Sequence, residues 1–355
     1  MRIGTAGFVA ARLISAREAR GVTQSELAES TGIKPQSISH YEQGRQSPSP
    51  ETLATLAERL SLPERHFLRP MPQARILHGS VGEQSRLRWL QELAAYIREF
   101  VELPPLRLPR FQPEEPVSME ALASAARTYF HAGSGPIASV TALLENHGCV
   151  VTRLPSGGDH AGFALLSFDD IPYAGISCGR QPSECRVVMA QALGYWMLFD
   201  QVEPAELTKR AEDFARAFLL PAKSFGKEVW SPTIDALLSL KRHWNCPLAV
   251  LLRRCADLDL LDSEQARRAL GNIGRRGWKT EEPGELAGEA EQPRLLAQSV
   301  RLLLDSGVKD VHSLLADVAL GAGDVEELAG LPKDYLRGVD SVVEWAPRLR
   351  RASAG

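Results

Sequence analysis

The chain has 355 residues, 44% hydrophobic and 24% charged, with a formal net charge of −3. That balance excludes disordered and fibrous classes and gives room for two or three domains, and no apolar run nears the roughly 20 residues of a membrane span. The opening stretch MRIGTAGFVAARLISAR is too weakly apolar and too broken by arginine for a signal peptide, so a cytoplasmic location is expected.

The charge is unevenly spread. Residues 1–75 hold ten Arg/Lys against seven Asp/Glu, a net +3, and the remainder is net −6. Only the N-terminal part has the sign of a nucleic-acid binder. The five cysteines, Cys149, Cys178, Cys185, Cys246 and Cys255, are odd in number and contain no C-x-x-C pair. Neither a disulfide framework nor a zinc ribbon is expected, and scattered thiols fit a reducing compartment.

From Ala11 the chain reads as short amphipathic helices with punctuation between them. Leu13, Ile14 and Arg17 to Ala19 open the first, which closes near Gly21. Thr23 followed by Glu26 is a capping box that starts the second, which ends at Gly32. Pro35 sits in the first turn of the third, where its missing N–H costs nothing, with Ile38 and Tyr41 turned inward and Gly44 as the stop. Glu51 to Leu60 makes a fourth. Two short helices joined by a tight Gly-containing turn have the geometry of a helix-turn-helix, whose second helix enters the major groove.

The stretch TQSELAESTGIKPQSISHYEQGRQSPS resembles the helix-turn-helix of the XRE, or Cro/repressor-like, family in its T-Q-x-x-L-A, its I-S-x-x-E-x-G and its trailing proline. The resemblance implies a phosphate or base contact at Gln24 and a DNA-facing third helix carrying Pro35, Gln36, Ser37 and His40. Gln36 and His40, four apart, share one side of that helix and can reach base edges, as a Gln amide pairs with adenine. Pro35 can donate no such bond. Lys34, Ser39 and Arg45 are expected on phosphates, which fix register without reading sequence. Arg17 and Glu42 match a pair that the family uses as an internal ion pair.

PMPQARILHGSVG reads as a connector, and EQSRLRWLQELAAYIREFVELP as an amphipathic helix with Leu87, Trp89, Leu90, Leu93, Tyr96 and Ile97 at apolar positions. PPLRLPRFQPEEP is a proline-rich spacer, which puts a domain boundary near residue 110. Beyond it, Met119 to His131 and Ile137 to His147 read as helices. CVVTRLP, GFALLSF and PYAGISC read as three strands, and RVVMAQALGYWMLFD and ELTKRAEDFARAFLLPAKSF as two further helices. The order helix, helix, sheet, helix, helix is an α+β arrangement.

This order resembles the ImmA/IrrE family of metallopeptidase-like domains, often fused to an XRE helix-turn-helix. That family carries H-E-L-G-H on the helix after the sheet and a pattern like E-A-N-x-F-A-A-x-L-L-M-P on the next. RAEDFARAFLLP matches the latter in register, with Phe214 and Ala215 at F-A and Pro221 at the final P. A zinc peptidase needs two imidazoles at i and i+4, a carboxylate from the next helix, and a Glu to take a proton from the bound water. Here Gln191 and Tyr195 stand in place of the histidines, Ala192 in place of the general base and Arg210 in place of the third ligand. A guanidinium repels a dication, and the eight histidines, at positions 40, 66, 78, 131, 147, 160, 243 and 312, include no i,i+4 pair. The expectation is a zincin-like domain that is not an enzyme and uses neither metal nor cofactor. Gly194, costly in mid-helix, is expected to serve close helix packing.

LLSLKRHWNCPLAVLLRRCADLDLLDSEQARRALGNIGRRGWKTEEPGE continues the family's layout, and EEPGELAGEAEQP is an acidic, Gly/Pro-punctuated linker. Further helices follow from Arg294 to about Val342, with DVHSLLADVALGAGDVEELAGLP spaced like a small helix-turn-helix without a basic face, suited to packing or dimerisation.

The organisation expected is multidomain: an all-α helix-turn-helix domain (8–70), a linker with an amphipathic helix (71–115), an α+β zincin-like pseudo-peptidase domain (116–280), an acidic linker (281–295) and an α-helical C-terminal region (296–345). The function expected is a DNA-binding transcriptional regulator, a repressor acting as a homodimer on double-stranded operator DNA, with the pseudo-peptidase domain used for sensing, partner binding or oligomerisation. The alternatives are an antitoxin-like protein-interaction module, an active zinc peptidase, and a small-ligand sensor whose vacated cleft, lined by Gln191, Tyr195 and Arg210, holds an anion.

Overall fold

The structure is a computed structural model and describes residues 4–110, 118–155, 161–178, 182–278, 282–283 and 291–339. The N-terminal helices are α1 (Ala10–Ala19), α2 (Gln24–Thr31), α3 (Pro35–Glu42) and α4 (Pro50–Arg59), followed by a 3-10 turn at Glu64–Leu68. Their ends follow local chemistry. Thr23 and Glu26 form the reciprocal capping box ahead of α2, Gly32 takes the left-handed conformation that ends it (φ 67°), and Pro35 opens α3. Ser49 caps α4 by accepting from the Thr52 N–H at 3.3 Å.

Next come β1 (Arg75–His78), α5 (Val81–Arg98), α6 (Met119–Tyr129), α7 (Val140–Asn146), β2 (Val150–Arg153), β3 (Gly162–Phe168) and β4 (Ile171–Ser177). The remaining helices are α8 (Pro182–Leu198), α9 (Pro204–Leu219), α10 (Ala222–Glu228), α11 (Ile234–Trp244), α12 (Leu248–Asp257), α13 (Ser263–Arg275), α14 (Leu295–Asp305), α15 (Val311–Val318), α16 (Ala322–Ala329) and α17 (Tyr335–Val339). Among the described residues no helix is long and apolar enough to cross a membrane.

The strands form one mixed sheet in the order β1-β3-β4-β2, antiparallel except for the β2/β4 pair. Alternate residues face opposite sides. Val151, Phe163, Leu165, Ala174 and Ile176 enter a core with α6 to α9 and α11 to α12, whereas Val150, Ala164, Leu166 and Tyr173 enter a second core with α5 and the C-terminal helices. The sheet is therefore a middle layer between two helical layers.

Three expectations change here. The connector near residue 75 supplies β1, pairing Arg75 with Ser167 and Ile76 with Leu166, and the amphipathic helix α5 packs on β3 and β4. Hence residues 71–110 form part of the sheet and its core, and do not act as a linker; 111–115 lie outside the described residues. The helix-turn-helix and the C-terminal region are not separate beads either, because Leu13, Leu27, Ile38, Trp89, Leu166, Val300, Leu314 and Val325 belong to one continuous core. Lastly, Cys178 and Cys185 are joined in a disulfide, with Cα atoms 5.0 Å apart. Cys149, Cys246 and Cys255 remain free and buried.

Of the acidic linker, residues 281 and 284–290 lie outside the described residues. Its described carboxylates do structural work: Glu282 is buried against Lys241 at 2.8 Å and Glu291 pairs with the buried Arg186 at 3.1 Å. The C-terminal helices serve packing, since His66 Nδ1 lies 3.1 Å from the Ala319 carbonyl and Arg20 forms a two-armed ion pair with Asp324 at 2.6 and 2.8 Å.

Candidate nucleic-acid interface

Two faces of the N-terminal helices have opposite fates. The face made by α1 and the 3-10 turn is bonded into the body. Arg12, buried, pairs with Glu92 on α5 and donates to the Arg69 and Pro70 carbonyls. Arg65 and Arg69 donate to the Leu315 and Asp317 carbonyls at 3.1 and 2.6 Å, and Arg86 pairs with Glu327 at 2.9 Å. His66 is sealed in this joint, edge-on to Trp89, and burial pulls its pKa down to about 3, with Arg12, Arg69 and Arg20 adding repulsion.

α3 lies on the other side, packed on α1 and α2. Its inward anchors are Ile38, fully buried, and Glu42. Glu42 accepts from Arg17 Nε at 2.6 Å and Nη2 at 3.1 Å, the ion pair expected from the sequence, and these hydrogen bonds hold the Arg17 pKa above its usual value. Gln24 also donates to Glu42, at 2.7 Å. The amide N–H expected on DNA is thus used inside the domain, because the start of α2 and the end of α3 share that carboxylate.

The outward residues are polar and open. Lys34, Pro35, Gln36 and Arg45 are exposed, and Ser37, Ser39 and His40 are partly exposed. The Ser39 hydroxyl accepts from Gln43 at 2.9 Å. Eight residues of α-helix span about 12 Å, the width of a B-DNA major groove. Lys34 and Arg45 form no ion pair among the described residues, unlike Arg12, Arg17 and Arg20. The two free cations therefore flank α3, at its N-terminus and just past its end.

The second set of expected site residues lies on α8 and α9. Those helices pack directly on each other: a Cβ on Gly194 would sit 2.6 Å from the Phe214 ring and 3.2 Å from the Ala211 carbonyl oxygen. Gly194 thus serves close packing, as expected. Tyr195 is mostly buried, donates to the Leu77 carbonyl at 3.1 Å and packs against His78 and Phe163, with centroids at 4.9 and 5.6 Å. Ala192 faces the core beside Leu144, Cys149 and Trp196. Gln191 is partly exposed.

Arg210 lies on α9. It is 45% exposed and pairs with Glu206, one turn back on its own helix, at 3.5 Å. Of the anion cleft expected from Gln191, Tyr195 and Arg210, the tyrosine hydroxyl is bonded to β1 and the arginine pairs with its neighbour on α9. Among the described residues no group of three or more His, Cys, Asp or Glu could hold a metal ion; His160 lies outside them. Sequence reading missed the joint built by Arg12, Arg20 and His66, whose side-chain hydrogen-bond partners are 40 to 304 residues away and leave no local signal.

Residues 13–67 match a family model described as "Helix-turn-helix". No curated protein and no solved structure matches the chain. The match covers α1 to α4 and the 3-10 turn, and it supports a DNA-binding regulator of the XRE type.

Proposed function

We propose that the protein is a sequence-specific transcriptional regulator that represses from double-stranded operator DNA as a homodimer, with α3 as the reading helix. Gln36 and His40 read base edges, Lys34, Ser39 and Arg45 hold phosphates, and Ser37 and Pro35 shape the approach. One observation carries this reading: α3 is the exposed, polar, cation-flanked face, while the opposite face of the same helices is buried in the body. A helix-turn-helix kept only for packing would have no reason to leave that face open.

Two free cations per head neutralise few phosphates, so a single head binds weakly and a paired one gains its affinity from two half-sites. We read the α8/α9 layer as a non-catalytic, zincin-like body. Ala192 can take no proton, Arg210 would repel zinc, and Tyr195 is packed away. Footprinting on the DNA upstream of the protein's own gene tests the regulator reading. Two protected half-sites about 34 Å apart are expected; uniform or absent protection would sink it. Stoichiometric zinc by elemental analysis, with peptide hydrolysis, would overturn the non-catalytic reading.

A further inference from the structure

Apart from the faces above, the described residues form a large cleft whose chemistry is unspent. It lies between α6 and the α9–α10 junction and measures about 760 Å³, within the range of small-ligand sites. Its floor contains Arg127, 5% exposed, whose guanidinium is held by backbone carbonyls alone: Gly133 at 2.9 Å, Phe218 at 2.5 Å, Gly135, and Ala132 at 3.4 Å. Among the described residues no carboxylate pairs with it. Carbonyl dipoles satisfy its N–H groups but leave its charge uncompensated, and burial alone draws its pKa down to about 10, so it remains a cation at neutral pH.

A buried charge without a counter-ion is unusual, because an unpaired ion costs several kcal/mol to bury. The rest of the lining deepens the imbalance. Lys223 stands exposed at the mouth. The one acidic group, Glu120, is already claimed by Arg254 at 2.6 Å and by the Ala222 N–H at 3.2 Å. Ser124 and Ser134 face the cleft with hydroxyls that form no hydrogen bond within the described residues, while Ala121, Ala217 and Pro221 give an apolar wall.

We propose that this cleft binds a small organic anion, its acidic head drawn by Arg127 and Lys223 and its apolar body lying on Ala121, Ala217 and Pro221. The site is separate from α3 and from the α8 motif, and the inference does not depend on the DNA-binding reading. A carboxylate and a phosphate ester share the required chemistry.

The test is a titration of the full chain with hexanoate, inorganic phosphate and uncharged 1-hexanol at fixed ionic strength, followed by calorimetry and thermal unfolding. Saturable heat and a rising Tm are expected for at least one anion and not for the alcohol. Hexanoate binding more tightly than phosphate assigns a carboxylate with a tail, and the reverse assigns a phosphate. Lys223→Glu, at an exposed position, should weaken binding at least about ten-fold by reversing the mouth's charge, and Ser124→Trp should abolish it by filling the cleft. No saturable binding by either anion, hexanol matching hexanoate, or both variants binding like the parent would each overturn the proposal.

Discussion

Helices α3 and α8 both carry residues that the sequence offers as candidate sites, and the fold treats them in opposite ways. On α3 and at its N-terminus the polar residues that packing does not need, Lys34 and Gln36, are exposed, while Ile38 and Glu42 anchor the helix. On α8 three of the candidate positions serve packing: Tyr195 bonds to β1, Ala192 lies in the core, and Gly194 receives the Phe214 ring. An exposed polar face preserved beside a rigid joint indicates a surface kept for a partner. A helix whose candidate positions are largely apolar or sealed indicates a surface that serves stability. Substitutions on α8 should therefore move stability and leave DNA binding alone, and those on α3 should do the reverse.

The largest effect is expected in α8. Trp196→Ala removes a side chain 2% exposed and should cost about 3–5 kcal/mol in denaturant unfolding, with DNA affinity unchanged in the folded fraction. A cost below about 1 kcal/mol would break the comparison. Acid should come next, acting on the joint that turns α3 outward. His66 has a folded pKa of about 3 against an ordinary 6.5, so the unfolded chain binds the extra proton between those values. Its contribution is complete above pH 6.5 and is lost as pH falls toward 3, about 2 kcal/mol of it by pH 5. Unfolding measured from pH 7 to pH 5 should show that slope, and His66→Gln should flatten it.

Gly194→Ala sharpens the same contrast at smaller scale. Alanine gains about 1 kcal/mol of helix propensity, but its methyl meets the Phe214 ring at 2.6 Å and should cost about 1–3 kcal/mol through overpacking, a net loss of up to about 2 kcal/mol by chemical denaturation. A stabilised variant would mean that α8 and α9 are not pressed together. The smallest effect lies on α3's flank. Lys34→Ala should leave stability within about 0.5 kcal/mol and lower the salt slope of binding by about 1 per head, equally for operator and unrelated DNA.

Local chemistry explains which parts of this were legible in the sequence. Thr23/Glu26, Gly32 and Pro35 act on their own neighbours, so α2 and α3 could be placed residue by residue, and the strands at 150–153, 162–168 and 171–177 followed from β-rich runs between breakers. What escaped is non-local. β1 is a four-residue strand inside a Pro/Gly-punctuated stretch, and only pairing with β3, some ninety residues on, makes it a strand. The Cys178–Cys185 bond depends on a Cα approach of 5.0 Å that C-x6-C spacing does not specify. Arg210 was placed by motif register, but register says nothing about Glu206 one turn away, which claims it. The Arg127 cleft arises from α6 and α9, about ninety positions apart, and from a charge left uncompensated, which no linear pattern records.

The central claim is that α3 reads DNA. It is tested most directly by measuring binding of the full chain to its upstream DNA across a salt series, beside a Gln36→Ala/His40→Ala variant. The account predicts specific binding that weakens steeply with salt, and a variant that loses about 1–3 kcal/mol of discrimination per reading residue while unfolding like the parent. A variant that binds the same site with unchanged affinity, or a parent that binds no DNA above its non-specific level, would contradict it.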